Sequence, residues 1–492
     1  MNYFLILKLL GNILKTEAAF MGIPLIVSLI YKGNDTAAFL ITIAILLTLG
    51  FPLSFLKSKA VNRFSVKDAF AAAALSWVLF SFFGALPFYF SGTSKNFIDC
   101  LFESAAGFTT TGTTLIKDAC AVDKGILFWR GFSVWIGVVG VLLVIMAVMP
   151  SLNASSINLM RAEATGISGE KITPKIRETA KIICLIYTGM TGLIAFCLIV
   201  SKMPVYDALI HAFSTAGSGG FSNMNGGPGE YGSAAVNTII TVFMFFVGVN
   251  FTLYYHLAKK NIVNVLKDEE LRFYFGTVVG AVVIITLNVS GVLGSGSAPQ
   301  PFSESLGYSS FWVASVISTT GFAPLPGNIV MPALSRFIIL CLMFSGCCAG
   351  STGGGIKLVR IILLLKTARA EINKIAHPKS VKAITINGKK VNDEIIAKTA
   401  MFFFIYFAVF FAASLLVSVF DGNDMILTIS SVISMLGNVG IGISQEGIVC
   451  DFSSFSNLSK IVYIFCMFVG RLEFFPILIL LRPSMWLEKK SF

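Results

Sequence analysis

Charge is scarce in this sequence: of 492 residues only 13% are Asp, Glu, Lys or Arg, and histidine occurs three times. Soluble domains carry about a quarter charged residues, so a soluble multidomain enzyme is excluded. An enzyme built within a membrane needs convergent acids, bases or metal ligands, and a chain this poor in them supplies none. Acids are outnumbered 25 to 37, giving a net charge of +12. In so apolar a chain that excess reports loop orientation and attraction to anionic membrane lipids, and implies no nucleic-acid partner. The nine cysteines are odd in number and scattered. Cys184, Cys197, Cys341 and Cys466 fall in apolar spans, where the thiol behaves as a small hydrophobe, so neither a disulfide framework nor a metal site is expected.

What the chain has is hydrophobic length. Apolar residues make up 55%, with 45 Phe and a mean hydropathy of +0.83, and runs long enough to cross a bilayer as helices recur throughout. Membrane helices are expected over residues 3 to 31, 37 to 56, 69 to 90, 126 to 149, 179 to 201, 234 to 256, 273 to 294, 331 to 365, 399 to 420 and 459 to 481. The first, interrupted by Lys8, Lys15 and Glu17 and lacking a small-residue cleavage site, reads as a retained helix. Ten spans place both termini on one side. Lys and Arg divide 28 to 8 between alternate loops, with Arg471 inside the last span, so both termini are expected in the cytoplasm.

Four outer breaks, at residues 97 to 114, 205 to 222, 309 to 323 and 424 to 443, each hold a short helix-like run ending in small residues and glycine. Irregular backbone survives at membrane depth only where protein buries it or a wet cavity meets it. Helix, re-entrant helix, glycine-bearing loop and helix therefore recur four times, marked by Gly112, Gly219, Gly321 and Gly440. The expected architecture is an all-α polytopic membrane protein with four tandem helix/pore-helix/helix repeats in pseudo-fourfold arrangement. An N-terminal hairpin occupies 1–56, and the repeats 57–171, 172–268, 269–385 and 386–492.

The loops supply chemistry. They contain Thr110-Thr111-Gly112-Thr113, Gly217-Ser218-Gly219-Gly220, Thr319-Thr320-Gly321-Phe322 and Asn438-Val439-Gly440-Ile441. A cation shedding water needs oxygens at close range, and carbonyls turned the same way provide them. Glycine permits that turning. One Thr-Thr-Gly means little, since such residues also pack helices; four at matched positions suggest one filter. Each short helix would aim its negative C-terminal end at the axis, with Asp99, Asp207, Glu304 and Asp424 at the opposite ends. Outer loops hold 12 acids against 8 basic residues, which favours cations.

The eighth span is interrupted by Ser345 to Gly355, including Gly346, Gly350, Ser351, Thr352, Gly353, Gly354 and Gly355. So glycine-rich a run should unwind. It is not a phosphate-binding loop, because no Gly-Lys-[Ser/Thr] is present and no strand precedes it. An intramembrane gate and a flexible kink are both open readings. Arg471 lies mid-span, where a charge costs about 2.5 to 3.5 kcal/mol on insertion scales. It either bars cations below the filter or pairs with a backbone carbonyl or carboxylate; Glu473 is expected on another face of the same helix. Apart from these two, no ionisable residue is expected deep in a span, which argues against a proton-coupled carrier. His211 and His256 read as structural.

These residues resemble the Trk/Ktr/HKT superfamily of potassium transporters, most closely its bacterial TrkH branch. The likeness rests on Phe102-Glu103-Ser104-Ala105-Ala106-Gly107-Phe108 before Thr109, on His211-Ala212-Phe213-Ser214-Thr215 before Gly219-Gly220-Phe221-Ser222, on Cys348 to Lys357, and on Gly470-Arg471-Leu472-Glu473. It covers nearly the whole chain and includes the N-terminal hairpin. The resemblance implies potassium uptake across the inner (cytoplasmic) membrane, with K+ as transported ion held at the filter and no bound organic cofactor. It also implies a homodimer with one pore per subunit, a gate formed by the unwound loop with Arg471, and a cytosolic ring of Rossmann-type nucleotide-binding regulatory subunits of the TrkA kind. Segments 257 to 272 and 366 to 398 suit such docking, and equally suit anionic lipid. A sodium-permeable HKT-like transporter is the nearest alternative, disfavoured because the first filter position is Gly112 where that subgroup often has Ser.

Overall fold

In the computed structural model, residues 3–56, 66–148, 176–293, 300–324, 331–378, 383–422, 424, 425–444, 447–449 and 451–480 are described. The basic stretches at 57 to 65 and 482 to 490, and most of 161 to 181, lie outside them. The described residues are mainly helical, with two short hairpins. Helices α1 (Tyr3–Tyr31) and α2 (Thr36–Ser54) form the N-terminal hairpin. Then come α3 (Val66–Gly84), α4 (Leu86–Phe90), α5 (Phe97–Phe108) and α6 (Lys124–Val148). The second group is α7 (Ile176–Val200), α8 (Val205–Ala216), α9 (Ala234–Val247) and α10 (Phe251–Ala258).

The third group opens with α11 (Ile262–Lys267) and α12 (Glu269–Val289), followed by α13 (Phe302–Ile317), α14 (Ala333–Ser345) and α15 (Leu358–Ala376). An antiparallel hairpin pairs β1 (Thr385–Ile386) with β2 (Lys389–Lys390). Its Asn387-Gly388 turn has positive φ at both residues, the geometry that a two-residue hairpin favours. The last group is α16 (Asp393–Asp421), α17 (Met425–Gly437), the strand pair β3 (Gly442–Ile443) and β4 (Ile448–Val449), α18 (Asn457–Arg471) and α19 (Phe475–Leu480).

Six described helical stretches are long and apolar enough to cross a membrane, and α9 with α10 forms a further pair bent by 94°. That bend departs from the continuous helix expected over 234 to 256. Asn250 turns its side chain back to accept from Thr252 N at 2.9 Å, capping a new helix after the break. The glycine run unwinds as expected, leaving 346 to 357 non-helical between α14 and α15. The last span also breaks: Glu473 and Phe474 have positive φ, and Phe474 N returns to Val469 O at 3.1 Å, closing the helix at Arg471. Arg471 is therefore a C-terminal residue, not a mid-helix one.

The hairpin is fastened to the first repeat by a buried acid. Asp35 Oδ2 accepts from Ile126 N at 2.8 Å, capping α6, while its other oxygen holds Ser28 Oγ. Lys124 Nζ stands 4.1 Å from the Tyr31 ring centre at the same corner.

Candidate ion-conduction site

Helices α5, α8, α13 and α17 end alike. In each, the amide of the residue entering the loop reaches five residues back: Thr111 N to Ala106 O, Gly219 N to Ser214 O, Thr320 N to Ser315 O and Val439 N to Ser434 O, all at 2.8 to 2.9 Å. This is the helix-terminating bond that requires a left-handed residue just before it. Thr110, Ser218, Thr319 and Asn438 take that conformation, with φ of 58°, 54°, 57° and 53°. Two residues on, Gly112, Gly220, Gly321 and Gly440 again have positive φ, of 72°, 48°, 77° and 93°.

Those glycines close a ring. A Cβ on Gly112 would run into the Gly219 carbonyl oxygen, one on Gly220 into that of Thr320, one on Gly321 into that of Val439, and one on Gly440 into that of Thr111. Each repeat's glycine thus faces the carbonyl preceding a neighbour's glycine, first to second to third to fourth to first. The register corrects one sequence expectation: the second repeat's ring glycine is Gly220, not Gly219, because its left-handed residue is Ser218. All four ring glycines border one outward cavity of about 460 Å³, together with Arg130 and Asp451. Backbone oxygens gathered at the C-terminal, negative ends of four helices form an environment suited to a desolvated monovalent cation.

Charged groups brace the ring from behind. Glu103 and Arg130, each with a side chain 4% exposed, pair at 3.1 Å. Glu103 also accepts from Thr114 Oγ1, Leu115 N and Ile116 N, while Arg130 donates to Ser222 O at 3.1 Å and lies 4.0 Å over the Phe221 ring. One ion pair thereby joins the first loop to the second. His211 bonds Asp207 O and Ser222 Oγ at 2.8 and 3.0 Å, a bracing role in keeping with its structural reading. The ring's seam is closed by Lys460 on Asp99 at 2.8 Å and by Phe452 N on Thr114 O at 3.2 Å. Asp99, Asp207 and Glu304 lie in first turns and Asp424 is an N-cap, as expected.

The unwound segment lies against the inner end of these loops. Thr352 Oγ1 meets Ser218 Oγ at 2.7 Å, and Gly354 N donates to Thr319 Oγ1 at 2.8 Å. A Cβ on Gly353 would stand 2.7 Å from Ser318 O, and one on Gly354 3.0 Å from Asn438. Bulk is therefore excluded at both. Arg471 Nη1 donates to Thr352 O at 2.9 Å, and Lys357 Nζ to Gly353 O. Two cations grip adjacent carbonyls of the segment. Glu473 pairs not with Arg471 but with Arg360, whose guanidinium also lies 4.1 Å over Phe402.

The remaining sequence-predicted residues divide by role. Asn438 reaches Thr111 Oγ1 and Met467 O, both at 3.0 Å. Thr113 and Ile441 are wholly buried, Gly217 ends α8, and Phe322 packs beside His211 with its carbonyl taken by Ser315 Oγ at 2.6 Å. Gly346 and Gly355 adjoin each other, and Gly350 adjoins Asn250. Cys347 Sγ lies 2.8 Å from Ser351 Oγ. Sequence reasoning overlooked Asn250, which fell inside the span expected over 234 to 256, and Arg130, Lys357, Arg360 and Glu270, which were counted with the loops. Glu17, read only as an interruption of the first span, is wholly buried midway along α1 with no hydrogen-bond partner among the described residues; ionisable groups deep in spans are thus not confined to Arg471 and Glu473.

Comparison with known proteins gives one answer. A family model named TrkH and described as a cation transport protein matches residues 35–490. The Trk system potassium uptake protein TrkH of Salmonella typhimurium is 34% identical over 492 residues, covering 99% of this chain and all of that protein. Trk system potassium uptake protein TrkG of Escherichia coli K12 is 30% identical over 468 residues, 94% of each chain. The crystal structure of the potassium transporter TrkH from Vibrio parahaemolyticus superposes with a TM-score of 0.87 at 29% identity, covering 99% of this chain and 100% of that one.

Proposed function

The chain belongs to the TrkH family of cation transport proteins, and on that premise we propose that it takes up potassium through the ring of carbonyls at Thr111, Gly219, Thr320 and Val439. It is a multi-pass membrane transporter, not an enzyme. The observation that carries the reading is the cyclic contact of four glycines with four neighbouring carbonyls, because only loops converging on one axis produce it. A carbonyl ring replaces the hydration shell of an entering ion, and glycine at Gly112 favours potassium over a sodium-permeable path.

On the same reading, residues 345 to 355 form the gate and Arg471 supplies a fixed positive charge beneath the filter. The chain divides into the hairpin 1–56 and the four repeats 57–171, 172–268, 269–385 and 386–492. It sits in the cytoplasmic membrane with both termini inside, supported by the distribution of basic residues. Family resemblance supports a homodimer with one pore per subunit and cytosolic nucleotide-binding subunits of the TrkA kind. Segments 257 to 272 and 366 to 398 are their docking surface.

Isotope uptake into proteoliposomes tests this reading. Potassium uptake exceeding sodium uptake is expected, with gain from added regulatory subunit; equal uptake of the two ions refutes the assignment.

A further inference from the structure

Glu270 is the second residue of α12 and is 4% exposed. One of its carboxylate oxygens accepts two backbone amides, Ala349 N of the unwound segment at 2.8 Å and Val359 N in the first turn of α15 at 3.1 Å. That atom joins Ala349 to the start of α15, in addition to the backbone bonds that close the segment, Ile356 N to Phe344 O, Lys357 N to Ser345 O and Leu358 N to Cys347 O at 3.1 to 3.3 Å. Bonds from Cys348 N to Gly248 O and from Phe251 N to Gly350 O, at 3.1 and 3.0 Å, hold the same segment to the bend between α9 and α10.

The two residues before Glu270 are held by something else. Asn387, at the tip of the β1–β2 hairpin, accepts from Glu269 N and donates to Asp268 Oδ2, both at 2.8 Å. Lys366 joins Glu269 to Thr385 O on the same hairpin. Consecutive residues Asp268, Glu269 and Glu270 thus face the hairpin on one side and the unwound segment on the other. A cleft of about 840 Å³ lined by Lys267, Asp268, Arg272, Asn387 and Lys389 lies between the hairpin and α12, which leaves the hairpin room to shift.

We propose that Glu270 is the positioning residue that latches the gate segment in the conformation seen here, and that Asn387 links this latch to the hairpin at the cytoplasmic face. The proposal rests on the gating role assigned above. A buried carboxylate accepting two amides is a charge-assisted anchor; moving the start of α12 moves the acceptor and loosens Ala349 and the first turn of α15 together. The hairpin is the natural lever, since it touches α12 through polar bonds while its Ile386, with Val391, packs against Ala349, Val359 and Leu363 in one small apolar cluster, so its position is felt on both sides of the latch.

Flux of rubidium into proteoliposomes of the full chain, measured without any regulatory subunit, tests this. Glu270→Ala should raise flux by roughly tenfold, the scale set by losing hydrogen bonds to a charged group, with potassium-over-sodium preference unchanged because the filter is untouched. Glu270→Gln retains an acceptor oxygen without the charge and should fall between Glu270→Ala and the parent. Asn387→Ala, at the half-buried tip of the hairpin, should raise flux severalfold, and adding it to Glu270→Ala should give no further rise. If Glu270→Ala does not fold, Asn387→Ala alone decides. Parent-like flux in Asn387→Ala overturns the link, and parent-like flux in a folded Glu270→Ala overturns the latch. A variant shortened within 345 to 355 is the control: if it also matches the parent, the gate assignment itself has failed, whereas raised flux there with a silent Glu270→Ala rejects the latch alone.

Discussion

The carbonyl oxygen of Gly219 occupies the space that a side chain on Gly112 would need. The neighbouring backbone is as restrictive as the positive φ at Gly112, so no non-glycine residue fits without spreading the ring. Gly112→Ala should therefore abolish uptake or erase the preference for potassium over sodium, read in competing isotope fluxes. An unaltered preference would remove this glycine from the ion path.

The second loop offers a sharper comparison, because two adjacent glycines differ in what surrounds them. A Cβ on Gly220 would meet the Thr320 carbonyl at positive φ, while one on Gly219 would press on the Val134 side chain. Backbone cannot yield, but a side chain can shift at a cost of about 1–3 kcal/mol. Gly220→Ala should lose selectivity, and Gly219→Ala should lower thermal stability while keeping the ion preference. The reverse ranking would mean that the register of the second loop is misplaced.

Arg130 joins two loops, so its loss should be felt in both. Removing one partner of a buried ion pair leaves an uncompensated charge, at about 3–5 kcal/mol. Arg130→Ala should lower the unfolding temperature of the purified protein in detergent and broaden ion preference together. Double replacement of Glu103 and Arg130 by Gln and Met should recover much of the stability but not the preference, since the tie to Ser222 stays broken. Recovery of both would make the pair a stability element only.

Much of this arrangement can be read from the residues. Hydrophobic length gave the spans, and the recurrence of Gly112, Gly321 and Gly440 in like settings gave the repeat, because a peptide that must turn its carbonyls inward leaves glycine as a trace. The second register was obscured by three glycines among Gly217 to Gly220, which look alike in sequence and are told apart only by the left-handed Ser218. Helix breaks at 248 to 250 and 472 to 474 were hidden for another reason: neither contains the glycine run or proline that marks an interruption, and each is fixed by bonds formed after folding. Glu270 and Arg130 fell at the edges of spans, where a charge ordinarily meets water. Only tertiary packing reveals that they point inward.

Asp35 couples the N-terminal hairpin to the first repeat through a single amide on α6. Loss of a helix N-cap costs about 1 kcal/mol, and this one is buried, so Asp35→Ala should lower thermal stability by that order or more. The ring of carbonyls lies in the repeats and should keep its ion preference. A selectivity change in Asp35→Ala would indicate that the hairpin shapes the filter.

Arg471 holds the Thr352 carbonyl while Thr352 holds Ser218 at the base of the second filter loop. Its charge is thus separated from the inner end of the filter by one residue. At about 6 Å and an effective dielectric near 20, a guanidinium opposes a potassium ion by roughly 2–3 kcal/mol, enough for a rate change approaching a hundredfold. Arg471→Gln keeps a donor for Thr352 but removes the charge, and should raise rubidium flux; Arg471→Lys keeps the charge and should stay near the parent. The pair separates electrostatics from bonding, because a purely structural Arg471 predicts that Gln, which can still reach a carbonyl, behaves no worse than Lys. Equal fluxes in the two variants would therefore assign Arg471 to holding the segment and not to repelling ions.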